Sequence, residues 1–348
     1  DAMSAELLPP PAAPRAAPAP PGAAMRGERW LTRADQLLFR LDTLIHRALA
    51  PAANPFGHLG QIANILFAIA VGSGVVLLIW YSPSVHLAYD SLQRLDGLSL
   101  GGWMRSVHRY SSDAALLFVA LHALRAFAAR QVTGARWLPW VTGVTLLGLL
   151  WFVGWTGYWL VWDERGQLVA RASLAFADVL PVFGGPLARL LVTDDAMPSL
   201  LFFVVFFLHM LLPLAFVAGM CLHLARLSRA KIFPRRALAW WTLAAVAVVS
   251  LLVPATSAGP AQMAVQPERF AFDAWYLWPL AFTQRLSGGG IWLLTASLFA
   301  GVGGLPWWLA RKRPPATFQA AVDVARCHAC SQCSQDCPFN AITLVPRT

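Results

Sequence analysis

Four residue pairs recur at a spacing of fourteen: His108 with His122, His209 with His223, Gly60 with Gly74, and Gly143 with Gly157. All lie in strongly apolar stretches. Fourteen residues make nearly four helical turns, so both members of a pair sit on one helix face about 21 Å apart along the axis. One histidine from each of two helices at the same depth can hold an iron from both sides, as bis-imidazole haem requires. Glycines on neighbouring helices let a flat macrocycle approach the backbone. Two ligand layers and two stacked haems are expected. The bland alternatives are a polar histidine satisfied between helices and small-residue helix packing. Ionisable residues at membrane depth are uncommon and usually functional, and two matching histidine spacings with two matching glycine spacings favour haem.

A second group lies near the carboxyl end. CHACSQCSQDCP sets Cys327, Cys330, Cys333 and Cys337 in the spacing C-x2-C-x2-C-x3-C-P of bacterial ferredoxins. Thiolates converging from a tight loop suit the tetrahedral iron corners of a 4Fe-4S cluster, with zinc as the lesser alternative. In two-cluster ferredoxins the fourth cysteine serves the other cluster. Here Cys337 closes this cluster, or the chain continues past Thr348, or a partner supplies thiolates; the ITLVPR ending points to continuation. Cys221, two residues before His223, reads as a small buried residue.

The elements that position these ligands are membrane helices. The chain is 57% hydrophobic and 13% charged, with mean hydropathy +0.56, which excludes a soluble globule. Apolar runs near 60–81, 112–128, 138–162, 198–224, 237–254 and 291–309 are long enough to cross a hydrocarbon core of about 30 Å, and 274–284 is a shorter seventh. The net charge of +10 is mostly arginine, and the 16 tryptophans cluster near run ends as an interfacial belt, so nucleic-acid binding is not implied. Residues 1–28, rich in alanine and proline, read as a disordered cytoplasmic tail without a secretion signal. Residues 29–50 read as an amphipathic helix on the membrane surface, its Trp30, Leu31, Leu37, Leu38, Leu41, Leu44 and Ile45 at helical spacing. His46, His58 and His86 have no partners at equivalent spacing and take no ligand role.

Arg125, Arg130 and Arg136 join the second and third spans, and Arg226, Arg229, Lys231, Arg235 and Arg236 follow the fourth, placing both loops in the cytoplasm. The amino terminus then lies on the same side. His108 and His209 fall toward the outer face, His122 and His223 toward the cytoplasm.

Over roughly residues 54–313 the chain resembles cytochrome b of the quinol-oxidising bc family, with a ferredoxin-type 4Fe-4S segment fused behind it. The likeness is carried by the histidines, by Arg105 three before His108, by Arg125 three after His122, by Trp137, Gly143 and the GYWLVW stretch at 157–162, and by Pro213 four after His209. The resemblance implies that His108 pairs with His209 for the lower-potential haem and His122 with His223 for the higher-potential one, and that Arg105 and Arg125 neutralise haem propionates. Residues 275–315, with WYLWPLAF, resemble the three-helix subunit of the chloroplast-type complex. Where the family's outer quinol site carries Pro-Glu-Trp-Tyr, this chain has Asp273, Ala274, Trp275 and Tyr276. The glutamate that takes a proton from quinol is missing; Asp273 stands one position earlier, as a substitute acceptor or a helix N-cap. Trp275 and Tyr276 are the corresponding wall residues. Val161 and Asp163 also replace the family's proline and glycine.

The expected architecture is an all-α integral membrane protein: a dihaem four-helix bundle over 54–230, about three further transmembrane helices over 236–313, and a small ferredoxin-like segment over 320–348. The expected function is the dihaem cytochrome b subunit of a quinone-linked oxidoreductase complex in a bacterial cytoplasmic membrane. Electrons would move between quinone or quinol, two haem b groups and an iron–sulfur port. Its partners would be lipid, quinone, iron–sulfur, cytochrome c or dehydrogenase subunits and a second copy of the chain, with no nucleic acid. A Q-cycle quinol oxidase and a conducting anchor without quinone chemistry are the alternatives. Residues 274–284 decide the side of the iron–sulfur segment: seven spans put it outside, whereas Arg311, Lys312 and Arg313 argue for the cytoplasm.

Overall fold

The computed structural model describes residues 33, 36–38, 40–41, 43–45, 54–95, 99–128, 131–133, 136–181, 187, 199–225, 231–267, 270–283, 285–310, 327, 333–334 and 342. These residues form helices α1 (Leu59–Leu77), α2 (Ala88–Gln93), α3 (Leu100–Ala128), α4 (Trp137–Val161), α5 (Glu164–Ala177), α6 (Ser199–Leu224), α7 (Arg236–Leu252), α8 (Leu280–Thr283), α9 (Gly288–Gly303) and α10 (Leu305–Ala310). Among them the Asp163–Pro260 bridge is the extended pairing present. The tail at 1–28 lies outside the described residues. Between 33 and 45 the described residues are helical, and Leu37, Leu41 and Leu44 turn one exposed apolar face outward, as a helix lying on a membrane would.

Four helical stretches are long and apolar enough to cross a membrane: Pro55–Leu77, Leu100–Ala128, Trp137–Val161 and Ser199–Leu224. Helix α1 packs along α3 and α4 along α6, which makes the four-helix bundle. At 29 residues, or about 43 Å, α3 begins well before the apolar run at 112. Its early polar residues do not break it, because Ser106 and Ser111 hydroxyls donate to the carbonyls of Gly102 and Val107 one turn back, at 2.9 and 2.6 Å. Inside α6, Pro213 has no N–H to give the His209 carbonyl, a loss a membrane helix tolerates when packed in a bundle.

Helix α4 stops at Trp162, whose φ of 55° puts it in the left-handed region. Asp163 then caps α5, its Oδ1 accepting from the backbone N–H of Arg165 and Gly166 at 3.0 and 2.9 Å. Its Oδ2 accepts from Ala258 N at 3.0 Å, and Gln167 bonds Gln262 in both directions, so the segment after α7 is clamped across α5.

Helices α7 and α9 are shorter, 17 and 16 residues, but α9 runs on through Gly304 into α10. Trp292 of α9 donates to Phe176 O at the end of the bundle near His108, while Trp307 of α10 lies 5.6 Å from Trp137 at the opposite end. Helices α9 and α10 together therefore run from the His108 end of the bundle to the opposite end. The seventh crossing expected at 274–284 is not formed. This stretch is turns followed by the four-residue α8, a rise of about 6 Å that stays at the His108 end. The run is apolar, but Pro279 lacks an N–H in its middle and the backbone around it closes as turns, Leu277 N donating to Asp273 O at 2.8 Å and Leu280 N to Leu277 O at 3.0 Å.

Candidate metal centre

The histidine spacing becomes two facing pairs. His108 and His122 come from α3, His209 and His223 from α6, on opposite sides of the bundle. Ring centres are 6.2 Å apart for His108 with His209 and 6.5 Å for His122 with His223. Two metal–imidazole bonds of about 2.0 Å, plus about 1.1 Å from each nitrogen to its ring centre, span about 6.2 Å, so both gaps match one metal ion held from both sides.

Hydrogen bonds settle which nitrogen faces the gap. His108 Nδ1 lies 2.8 Å from the Ala70 carbonyl oxygen, which can only accept, so Nδ1 carries the proton and Nε2 offers its lone pair. The Thr142 hydroxyl donates to Leu138 O at 2.8 Å and is therefore left to accept from His223 Nδ1 at 3.1 Å. Thr156 does the same for His209, donating to Val153 O at 2.7 Å and lying 3.0 Å from His209 Nδ1.

Each histidine stands against one of the four glycines, in antiparallel register: Gly60 faces His122, Gly74 faces His108, Gly143 faces His223 and Gly157 faces His209. A Cβ at Gly74 would sit 2.9 Å from His108 Cε1, and at Gly143 and Gly157 it would sit 3.1 and 3.2 Å from the facing Cε1 atoms. The shared spacing of fourteen on all four helices thus has one cause: each imidazole needs a missing side chain across from it. Among the described residues no group of three or more His, Cys, Asp or Glu could hold a metal. Two axial histidines per layer with the remaining positions supplied by a macrocycle is the chemistry this donor set fits, and a flat group between α3 and α6 meets no side chain at the glycines.

Arg105, three residues before His108, is buried and donates from Nη1 to Leu92 O at 3.2 Å and from Nη2 to Ser257 Oγ at 2.6 Å. Arg125 lies half-buried in the last turn of α3 near His122.

At the His108 end a polar network appears that the sequence reading did not anticipate. Asp273 caps the turn that follows it and also joins the network. Its Oδ1 accepts from Trp275 N and Tyr276 N at 2.8 and 3.3 Å, as an N-cap does, while Oδ2 accepts from Tyr158 Oη and Arg109 Nη2, each at 2.6 Å. Arg109 also pairs through Nε with Asp113 Oδ2 at 3.0 Å. Burial alone would push the Asp273 carboxyl up, but the Tyr158 hydroxyl and Arg109 guanidinium hold it below the ordinary carboxylate range. Tyr276 is buried against Gly154 and its hydroxyl donates to Ser112 O at 3.2 Å; burial pushes its phenol up. Trp275 stays exposed beside it. Arg109 and Asp113 had a readable signal, an i,i+4 ion pair starting next to His108; Tyr158 lay within the quoted GYWLVW stretch.

Cys327 and Cys333 are exposed free thiols, and Cys330 and Cys337 lie outside the described residues.

The sequence profile of the family described as Cytochrome b/b6/petB matches residues 45–231, more than half of the chain. A solved structure titled "Hyperthermophilic respiratory Complex III" superposes with a TM-score of 0.54 at 20% identity, covering 72% of this chain and 74% of that one, a likeness of fold.

Proposed function

The chain belongs to the cytochrome b/b6 family, and from that premise we propose that it is the dihaem membrane subunit of a quinone-linked oxidoreductase complex. The observation that carries this reading is the pair of facing imidazoles at each of two depths, 6.2 and 6.5 Å between ring centres. When bound, two haem b groups supply one-electron carriers at the two levels. His108 with His209 hold the outer one and His122 with His223 the inner one. The Nδ1 hydrogen bonds of His108, His209 and His223 orient these rings, and Gly60, Gly74, Gly143 and Gly157 leave them room. Arg105 and Arg125 lie close enough in sequence to each outer and inner ligand to neutralise propionates.

Trp275, Tyr276 and Tyr158 wall the quinone-binding region at the outer end, and Asp273 orients Arg109 there while fixing the turn that carries both aromatics. The segment holding Cys327, Cys330, Cys333 and Cys337 binds a 4Fe-4S cluster and exchanges electrons with a soluble partner. With six crossings and a cytoplasmic amino terminus, that cluster lies on the cytoplasmic side, in agreement with Arg311, Lys312 and Arg313. Other complex subunits and a second copy of the chain complete the assembly in a bacterial cytoplasmic membrane.

One observation favours the Q-cycle variant as second reading: although position 274 is alanine, Asp273 reaches the Arg109 and Tyr158 side chains beside the outer ligand layer. Quinol added to the purified complex should reduce its haems, and outer-site inhibitors should block that reduction under the Q-cycle variant but not under an inner-site route. A complex whose haems no quinol reduces and no quinone oxidises would leave only a conducting anchor.

A further inference from the structure

The charges buried around Arg109 do not balance. Its guanidinium serves two carboxylates, Asp113 at 3.0 Å from α3 itself and Asp273 at 2.6 Å from the segment ahead of α8. Arg165 of α5 lies 5.6 Å from the Tyr158 ring centre but is engaged by the fully buried Asp163 at 2.8 Å. Tyr158 of α4 and Tyr276 bring neutral hydroxyls. Helix α1 has no ionisable side chain between Leu59 and Leu77, and α7 has Arg236 at its far end alone. Helix α6 contributes His209 at this depth. Arg105, one turn before Arg109 on α3, is turned to Leu92 O and Ser257 Oγ, so in the contacting cluster Asp113 and Asp273 share the one guanidinium of Arg109, a net negative charge in a low-dielectric bundle.

The two carboxylates on Arg109 are not equivalent. Asp273 collects the Arg109 and Tyr158 side chains and two backbone N–H groups. Asp113 receives Arg109 Nε, and no hydrogen-bond partner meets its shielded Oδ1. An orphaned buried carboxylate oxygen is costly unless it carries a proton or faces a compensating positive charge. An oxidised bis-imidazole haem carries one net positive charge at its core, which offsets the surplus while it lasts; adding an electron removes that charge.

Resting on the dihaem reading above, we propose that Asp113 is a redox-linked proton site of the outer haem layer. When the haem held by His108 and His209 accepts one electron from a reductant, Asp113 Oδ1 takes one proton from solvent, and both leave on reoxidation. Electron and proton are then balanced one for one, with no bond broken in the protein. The side chains of Asp113 and Arg109 are 30% and 34% exposed, and through Asp273 the network continues to Tyr158 and the segment ahead of α8. The same group lies where a quinol bound near Tyr276 would discharge protons.

The test is electrochemically driven infrared difference spectroscopy on the purified complex, comparing wild type with Asp113→Asn, Asp113→Glu and Asp273→Asn. Reducing the outer haem in the wild type should raise a carboxylic-acid carbonyl band that deuterium exchange shifts. That band should vanish in Asp113→Asn, move in Asp113→Glu and persist in Asp273→Asn, and the outer haem potential should fall with rising pH in the wild type but not in Asp113→Asn. Both haems reduced with no such band, or a band indifferent to Asp113→Asn, overturns the inference and leaves the dihaem reading standing. If Asp113→Asn does not retain haem, an unshifted band in Asp113→Glu overturns it equally. A wild type without haem overturns both.

Discussion

Gly74 stands so close to His108 that a Cβ there would lie 2.9 Å from the imidazole Cε1, with backbone of α1 on one side and a ring pinned to Ala70 O on the other. Neither neighbour is a flexible side-chain end, so a methyl group displaces the ring. The contact at Gly60 is looser: its Cβ would lie 3.4 Å from His122 Cε1, an ordinary van der Waals distance.

Gly74→Ala should therefore lower occupancy of the outer haem, while Gly60→Ala should leave the inner one in place. Pyridine haemochrome content per chain and the resolved potentials of the two haems report this. Equal loss in both variants would show that the glycines do not act by making room for single histidines.

Thr142 accepts the proton-bearing nitrogen of His223, its own proton being spent on Leu138 O. Thr142→Val keeps the shape and removes the acceptor. Loss of such an outer partner typically weakens metal binding by about 10- to 100-fold. Inner-haem dissociation in a competition assay should accelerate in that range, with the outer haem unaffected.

Asp163 replaces a residue with no side chain in the resembling family, yet it takes on helix capping, an ion pair with Arg165 and the tether to Ala258. Asp163→Ala strands a guanidinium and three backbone donors at once. A loss of about 2–4 kcal/mol is expected, seen as a lower Tm of the detergent-solubilised protein. A Tm unchanged within a degree or so would mean that the 254–265 segment is held by other contacts.

The Asp273 carboxyl is held below its ordinary value. A depressed carboxylate stabilises the fold fully above its unfolded value of about 3.9 and loses that contribution as pH falls through the folded value, since only the unfolded chain then gains from protonation. Asp273→Asn should be less stable than the wild type at neutral pH, and the gap should close as pH drops below about 3.9. A gap independent of pH would assign the effect to the capped turn alone.

Cys327→Ser should reduce non-haem iron per chain while leaving haem content unchanged, measured by iron quantification beside the haemochrome. Zinc in place of that iron would reassign the cysteine segment.

The fourteen-residue spacings made the helices, their antiparallel pairing and the two-layer histidine site legible, because periodicity and ligand chemistry are local properties of the chain. The start of α3 was hidden: Ser106, His108, Arg109 and Asp113 lower its hydropathy, and only tertiary partners such as Asp273 make them compatible with the bundle. The segment 274–284 was misleading for the converse reason. Its Tyr276 and Leu277 are buried, Tyr276 against Gly154, which a hydropathy run does not distinguish from a span. The glycine spacing alone implies space for a macrocycle; the direct contact of the glycines with the imidazoles adds a steric reason that spacing does not contain.

The central claim is that four histidines hold two haems in two layers. Haem b per chain should be measured in the purified wild type and in His209→Ala and His223→Ala, with redox difference spectra of each. The account predicts two haems in the wild type, loss of the outer one in His209→Ala and of the inner one in His223→Ala. A wild type without haem, or variants that keep both with unaltered spectra, would contradict it.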